Sequence, residues 1–182
     1  MRIVLTVLAV LLTTAILAAQ ETRTEITKST TPTEDSKANS EAVPEVYALS
    51  GQFERVVIFR FKYQADLLAG MEKMVAEQKI RNAVILAGAG SLTGYHYHLV
   101  SNRTFPSKNM FIKNPTAPAD LVSMNGYIID GRIHAHMTLT DANKAFGGHL
   151  EVGTTVFTFA IITVGVLKDG VDLSRIDDKT YR

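Results

Sequence analysis

The spacing of apolar and polar positions changes several times along this chain, and each spacing predicts an element. Phe53–Lys62 (FERVVIFRFK) is β-branched and aromatic with partial alternation, which predicts a strand. Behind Asp66, the residues Leu67, Leu68, Met71, Met74 and Val75 recur at helical spacing, and Asp66 itself is a residue type that caps the free amides of a first turn. Together they predict a helix whose apolar stripe packs on a core. Asn82–Leu86 (NAVIL) predicts a short strand; Ala87–Leu92, with Gly88 and Gly90, breaks the pattern, and Tyr95–Val100 resumes it. The glycines there fit a bulge or a close backbone approach. Ser101–Pro118 shows no periodicity and is read as a long loop that flanks a site. Asp120–Ile129, Arg132–Thr140 and Thr155–Leu167 read as three strands, with Asp130-Gly131 fitting a tight turn between the first two. The last run, TVFTFAIITVGVL, is apolar on both faces and predicts a central or doubly covered strand. One main helix among many strands gives an α+β fold: a single compact domain on a largely antiparallel, strongly twisted β-sheet.

Two segments precede that domain. Residues 1–19 are one arginine followed by an almost unbroken apolar run, which reads as a signal peptide cleaved near Ala18, Ala19 or Gln20. An uncleaved membrane anchor through residues 3–19 is the alternative, although the run is short for a span and is broken by threonines. Both readings carry the domain out of the cytoplasm, to a secreted or periplasmic location. Residues 20–45, rich in Thr, Ser, Glu and Lys, bury too little apolar surface to offset their ordering entropy and read as a disordered linker. The domain then covers residues 46–182. Asn102-Arg103-Thr104 matches the N-glycosylation acceptor pattern of secreted eukaryotic proteins.

Composition narrows the chemistry mainly by exclusion. The chain has no cysteine, so disulfides, thiolate ligands and a thiol nucleophile are excluded. Of its 19 Lys and Arg and 18 Asp and Glu, residues 1–45 hold four and six, leaving fifteen and twelve for residues 46–182. A net of +3 on the domain is too small for the basic stripe that marks a nucleic-acid surface. Gly88 and Gly90 invite a nucleotide-binding reading, but the next glycine, Gly94, comes one residue late for the dinucleotide fingerprint and no P-loop lysine follows.

Histidine is what remains. His134 and His136 share one face if Arg132–Thr140 is a strand, and His149 arrives after a turn-rich gap through Gly147-Gly148. A glycine pair can take positive φ and let the backbone approach closely, which would aim His149 back at the strand. Three neutral imidazoles are a common set of ligands for a divalent ion such as zinc and leave a fourth position for water or substrate. Glu151 and Asp141 are the nearby carboxylates that could orient an imidazole or act as a base, with solvated surface charge as the plain alternative. His96 and His98 form a second H-x-H, interleaved with Tyr95 and Tyr97; they read as a solvent-facing or interface strand, or as further lining of the same pocket.

The stretch Asp120-Leu-Val-Ser-Met-Asn-Gly126, then His134-Ala-His136, Gly147-Gly-His-Leu150 and the apolar run to Leu167, resembles the PPC domain (DUF296) family of bacteria, archaea and plants. That family runs E-I-L-S-L-S-G into H-x-H, then G-G-H-L and an apolar strand. The likeness extends from Val57–Lys62 to Arg175-Ile-Asp-Asp-Lys-Thr-Tyr181, where the family's closing glycine is missing. The resemblance implies a PPC-like α+β fold, a homotrimer, and a metal site at His134, His136 and His149, as in prokaryotic members. Plant members carry an Arg-Gly-Arg-Pro hook for DNA; this chain has none. Three functions follow as expectations. The first is an exported, trimeric protein holding zinc or another divalent metal and binding or acting on a small anionic ligand. The second is DNA binding by analogy with the hook-bearing relatives, at odds with an export signal. The third is a structural or interaction module whose metal is closed off by His96 or His98 as a fourth ligand.

Overall fold

The computed structural model of the chain describes residues 25–28 and 38–176, so the residues read as a signal peptide lie outside it. Eight strands and one helix are present among the described residues: β1 (Glu25–Lys28), β2 (Phe53–Lys62), α1 (Leu67–Glu77), β3 (Ala83–Val100), β4 (Asn109–Asn114), β5 (Ala119–Ile129), β6 (Arg132–Thr140), β7 (Ala145–Leu150) and β8 (Thr155–Leu167). Every strand pairing is antiparallel. No described helix is long and apolar enough to cross a membrane.

β3 organises the sheet. Its first half lies between β8 and β5, and its second half between β4 and β7. Because β5 pairs β6, β6 pairs β7 and β7 returns to β3, these four strands close a ring, with β2 and β8 continuing from one side and β4 and β1 from the other. The break expected at Ala87–Leu92 is not a break. β3 runs through it with register shifts against β8, and a side chain at Gly88 or Gly90 would press on Met124 and Ile162 or on the Ala160 backbone. The glycines let three strands crowd together, and the shifts bend an 18-residue strand far enough to serve both halves.

Two further expectations change. Part of Ser101–Pro118 forms β4, whose partners on β3 lie beyond the reach of any local pattern. Within the segment read as a linker, Glu25–Lys28 pairs with β4, adding a strand to what would otherwise be an open edge. The Asp130-Gly131 turn forms as read, with both residues at positive φ (49° and 77°), the conformation of a two-residue hairpin.

The core fills the inner face of the sheet. Asp66 caps α1 through the Ala69 amide at 2.9 Å and also accepts from the Gly153 amide at 2.6 Å, which ties the helix to the turn after β7. Leu67, Met71 and Val75 point from α1 into a cluster with Phe59, Phe61, Leu92, Met124, Met137, Leu139, Leu150 and Ile162. Burying each such side chain stabilises the fold by about 1.5–3 kcal/mol. β8 is central in its pairing, but it is covered on one face only: Phe157, Phe159 and Ile161 on its outer face are exposed.

Candidate metal centre

Alternation puts His134 and His136 on the outer face of β6, because Ala135, Met137 and Leu139 between and beyond them fill the core. Register does the rest. Directly paired residues on neighbouring strands share a face, and the pairs Asn125–His136, His136–His149, His149–His98 and His98–Phe111 run as one rung across β5, β6, β7, β3 and β4. A second rung, two residues along, holds Tyr127 opposite His134 and His96 opposite Lys113, and the Glu151 amide bonds to the His96 carbonyl at 3.1 Å. Two H-x-H pairs, His149 and Glu151 therefore meet on one surface of the ring.

Gly147 and Gly148 make the approach possible. Gly147 has φ +150°, and a side chain there would strike the Met137 carbonyl, while one at Gly148 would strike the His98 carbonyl. The pair thus lies flat between β6 and β3 and delivers His149 to both.

The imidazoles converge in a definite way. His134 Nε2 and His136 Nε2 are 3.3 Å apart. Two nitrogens bound at about 2.05 Å to one tetrahedral ion would stand about 3.3 Å apart, so this pair already forms one edge of such a site. The ring centres of His134, His136 and His149 are 5.3, 5.0 and 5.4 Å from one another. Three imidazoles on one tetrahedral ion would place ring centres about 5.2 Å apart. His149 Nδ1 lies 3.0 Å from the Leu150 carbonyl oxygen, which can only accept, so Nδ1 carries the proton and Nε2 keeps a free lone pair. Donor chemistry and tautomer fit a divalent metal, and the His134–His136 pair has its spacing, although the ligand nitrogens of all three histidines do not lie within 4.8 Å of one another.

Glu151 sits behind these rings. Its carboxylate accepts from His98 Nδ1 at 2.6 Å and lies 3.6 Å from His149 Nδ1. Burial pushes its pKa up, but the neighbouring His149 and His98 outweigh that and hold it at about 2. His98 stacks on His149 with ring centres 4.5 Å apart and planes 21° from parallel, instead of joining the triangle. Among the described residues, the group whose potential ligand atoms all lie within 4.8 Å of one another is His98, His149 and Glu151. For His136, burial and then the repulsion of His149, His134 and His98 lower the pKa below the ordinary 6.5, which favours the neutral form a metal needs.

The remaining candidates separate. His98 belongs to the cluster, so the reading of Tyr95–Val100 as a plain solvent-facing strand gives way there. The reason is the β3–β7 pairing, which joins residues 51 positions apart. His96 is on the same face but donates from Nδ1 to the Val152 carbonyl at 2.8 Å, and its Nε2 is buried without a partner beside Phe111. Asp141 is not brought to the cluster. It lies at the far end of β6, where its carboxylate accepts from the Asn143 and Lys144 amides and so is committed to the turn into β7. Asn125 and Tyr127, missed in the sequence, stand directly across from His136 and His134. Their alternation on Asp120–Ile129 was visible; their register against the histidines was not.

A mostly antiparallel sheet closed through one long shared strand, with one helix and an outward histidine cluster, defines the class of this protein. The Plants and Prokaryotes Conserved (PCC) domain matches residues 48–168, and the chain belongs to that family. Among solved structures it is similar to a plant- and prokaryote-conserved protein of Pyrococcus horikoshii (22% identity, 68% of this chain and 85% of that one, TM-score 0.55). It is similar also to a hypothetical protein of Salmonella (22% identity, 66% and 81%, TM-score 0.55) and to a metal-containing protein of Archaeoglobus fulgidus (18% identity, 68% and 86%, TM-score 0.54). At these identities the likeness establishes the fold. No curated protein matches the chain.

Proposed function

We propose that this chain is an exported, homotrimeric metal-binding protein in which His134, His136 and His149 hold one divalent ion, zinc by donor type. The observation that carries the reading is the 3.3 Å separation of His134 Nε2 and His136 Nε2, with the His149 ring facing both from the neighbouring strand. A fold relative from Archaeoglobus fulgidus is itself described as metal-containing. When bound, a divalent ion with three protein ligands supplies Lewis acidity and an open position for a small anion. The protein's part is orientation: the Leu150 carbonyl and Glu151 fix the His149 tautomer and ring plane.

His98 stacks beside His149 with its Nδ1 held by Glu151, which favours an open fourth position over a closed four-histidine site. X-ray absorption of the zinc-loaded protein would count three imidazoles plus one lighter ligand; four imidazoles would turn the site into a structural clasp. The homotrimer is supported by the outer face of β2 and β8, where Val56, Ile58, Phe157, Phe159 and Ile161 stand exposed beside Arg60 and Lys62, the mix of apolar and cationic side chains that an interface uses. Export rests on residues 1–19, and a cytoplasmic reporter fusion of residues 1–25 would overturn it and revive the DNA-binding reading. The central test is metal analysis of the purified protein after dialysis. About one zinc per chain is expected, with almost none in His134→Ala; negligible zinc in both would end the proposal.

A further inference from the structure

Beside His134 and His136 lies a cavity of about 410 Å³ whose chemistry is uneven in an informative way. Its polar side is formed by the two histidines with Asn125 and Tyr127. Among the described residues, neither the Asn125 carboxamide nor the Tyr127 hydroxyl has a hydrogen-bond partner. Its other side is hydrocarbon: Val84, Ile129 and Ile176, the last brought over the outer face of β5 by the segment after β8. Among the described residues, no lysine or arginine lines it.

Charge decides what such a cavity suits. A divalent ion among three neutral imidazoles brings two positive charges, and the Glu151 carboxylate offsets one. One positive charge is left at the polar end, with two neutral groups able to donate beside it. A phosphate dianion would need more cationic charge than the described lining offers, and a neutral ligand would leave the charge unmet. The size is at the small-molecule end of the usual pocket range.

Resting on the metal reading above, we propose that this cavity is a binding site for small monocarboxylic acids with an apolar tail. The carboxylate takes the open position at the histidine triad within reach of Asn125 and Tyr127, and the tail lies against Val84, Ile129 and Ile176. Asn125 and Tyr127 are anchors for the head group, and Ile176 sets the preference for the tail.

The test uses the full chain loaded with cobalt(II), whose visible spectrum reports both metal binding and a new ligand at the open position. Acetate, hexanoate and inorganic phosphate are titrated in turn. Hexanoate is expected to bind at least about tenfold more tightly than acetate, a fraction of what four fully buried methylenes would give. Ile176→Ala, at an exposed position, is expected to bring hexanoate toward the acetate level while leaving the cobalt spectrum without added acid unchanged. Asn125→Ala should weaken both acids by the same factor. Equal affinity for hexanoate and acetate, or tighter binding of phosphate than of hexanoate, would overturn the inference while the metal reading stands. Absence of a cobalt spectrum would remove the metal reading and this inference with it.

Discussion

The two ends of the sheet's outer surface differ sharply although the same inner core supports both. On β2 and β8 the outward positions include Val56, Ile58, Phe157, Phe159 and Ile161, with Arg60 and Lys62 among them; on β6, β7 and the end of β3 they include His134, His136, His149 and His98, with Glu151 just beyond β7. The backbone pairing is alike in the two regions, antiparallel and closely registered. The outward side chains therefore report what each surface is for. An exposed hydrocarbon face lowers its free energy by excluding water, so it calls for a broad, flat partner such as another copy of the chain. A cluster of lone pairs and one carboxylate gains little from burial and much from a cation. If the histidine surface holds the proposed metal and the β2–β8 face the proposed partner copy, the two surfaces should fail independently.

That independence can be broken by substitution. The largest effect is expected from His149→Ala, which removes the ring that both H-x-H pairs share. Metal affinity measured by competition with a chelator should drop by well over the ~10–100-fold typical of losing a supporting partner, with the oligomer unchanged. Glu151→Gln keeps the shape but removes the charge behind His149 and His98, and should weaken metal binding by about 10–100-fold. Phe159→Asp attacks the other surface. Light scattering should register a threefold fall in mass, with zinc content still near one per chain.

The smallest effect is on pH dependence and is confined to the histidine surface. The lowered pKa of His136 means that the unfolded chain takes up a proton near the ordinary 6.5 before the folded one does. Metal-free stability is therefore fully present above that pH and is lost as pH falls toward the folded value. Glu151 has the same sign in a lower window, present above the ordinary 4.5 and lost on approach to about 2. Denaturant midpoints of the metal-free protein from pH 8 to pH 5 should fall with acid, and His136→Asn should flatten the upper part of that fall. A midpoint that rises toward pH 5 would contradict the burial of these groups.

Much of this site was readable one strand at a time. His134 and His136 share a face because residues two apart on a strand always do, and Gly147-Gly148 announced a close approach by having no side chains to obstruct it. Glu151 was readable as a nearby carboxylate. For Asp141 the plain alternative of an exposed charge holds, because an aspartate two residues before an Asn and three before a Lys finds backbone amides in its own turn sooner than a distant imidazole. β4 and β1 were missed for a different reason: short edge strands have little pattern of their own and exist because a neighbour offers unpaired amides and carbonyls.

The sequence by itself determined the helix, most of the strands, their inner faces and the family, since these follow from local periodicity and from motifs whose spacing survives in one dimension. Tertiary structure alone decided that β3 bends through its glycines to touch β7. That contact carries His98 onto His149 and draws Glu151 between them, while Asn125 and Tyr127 stand across from His136 and His134. Its physical origin is ring closure: the register between strands 51 residues apart depends on how every intervening strand packs, and no local pattern encodes it.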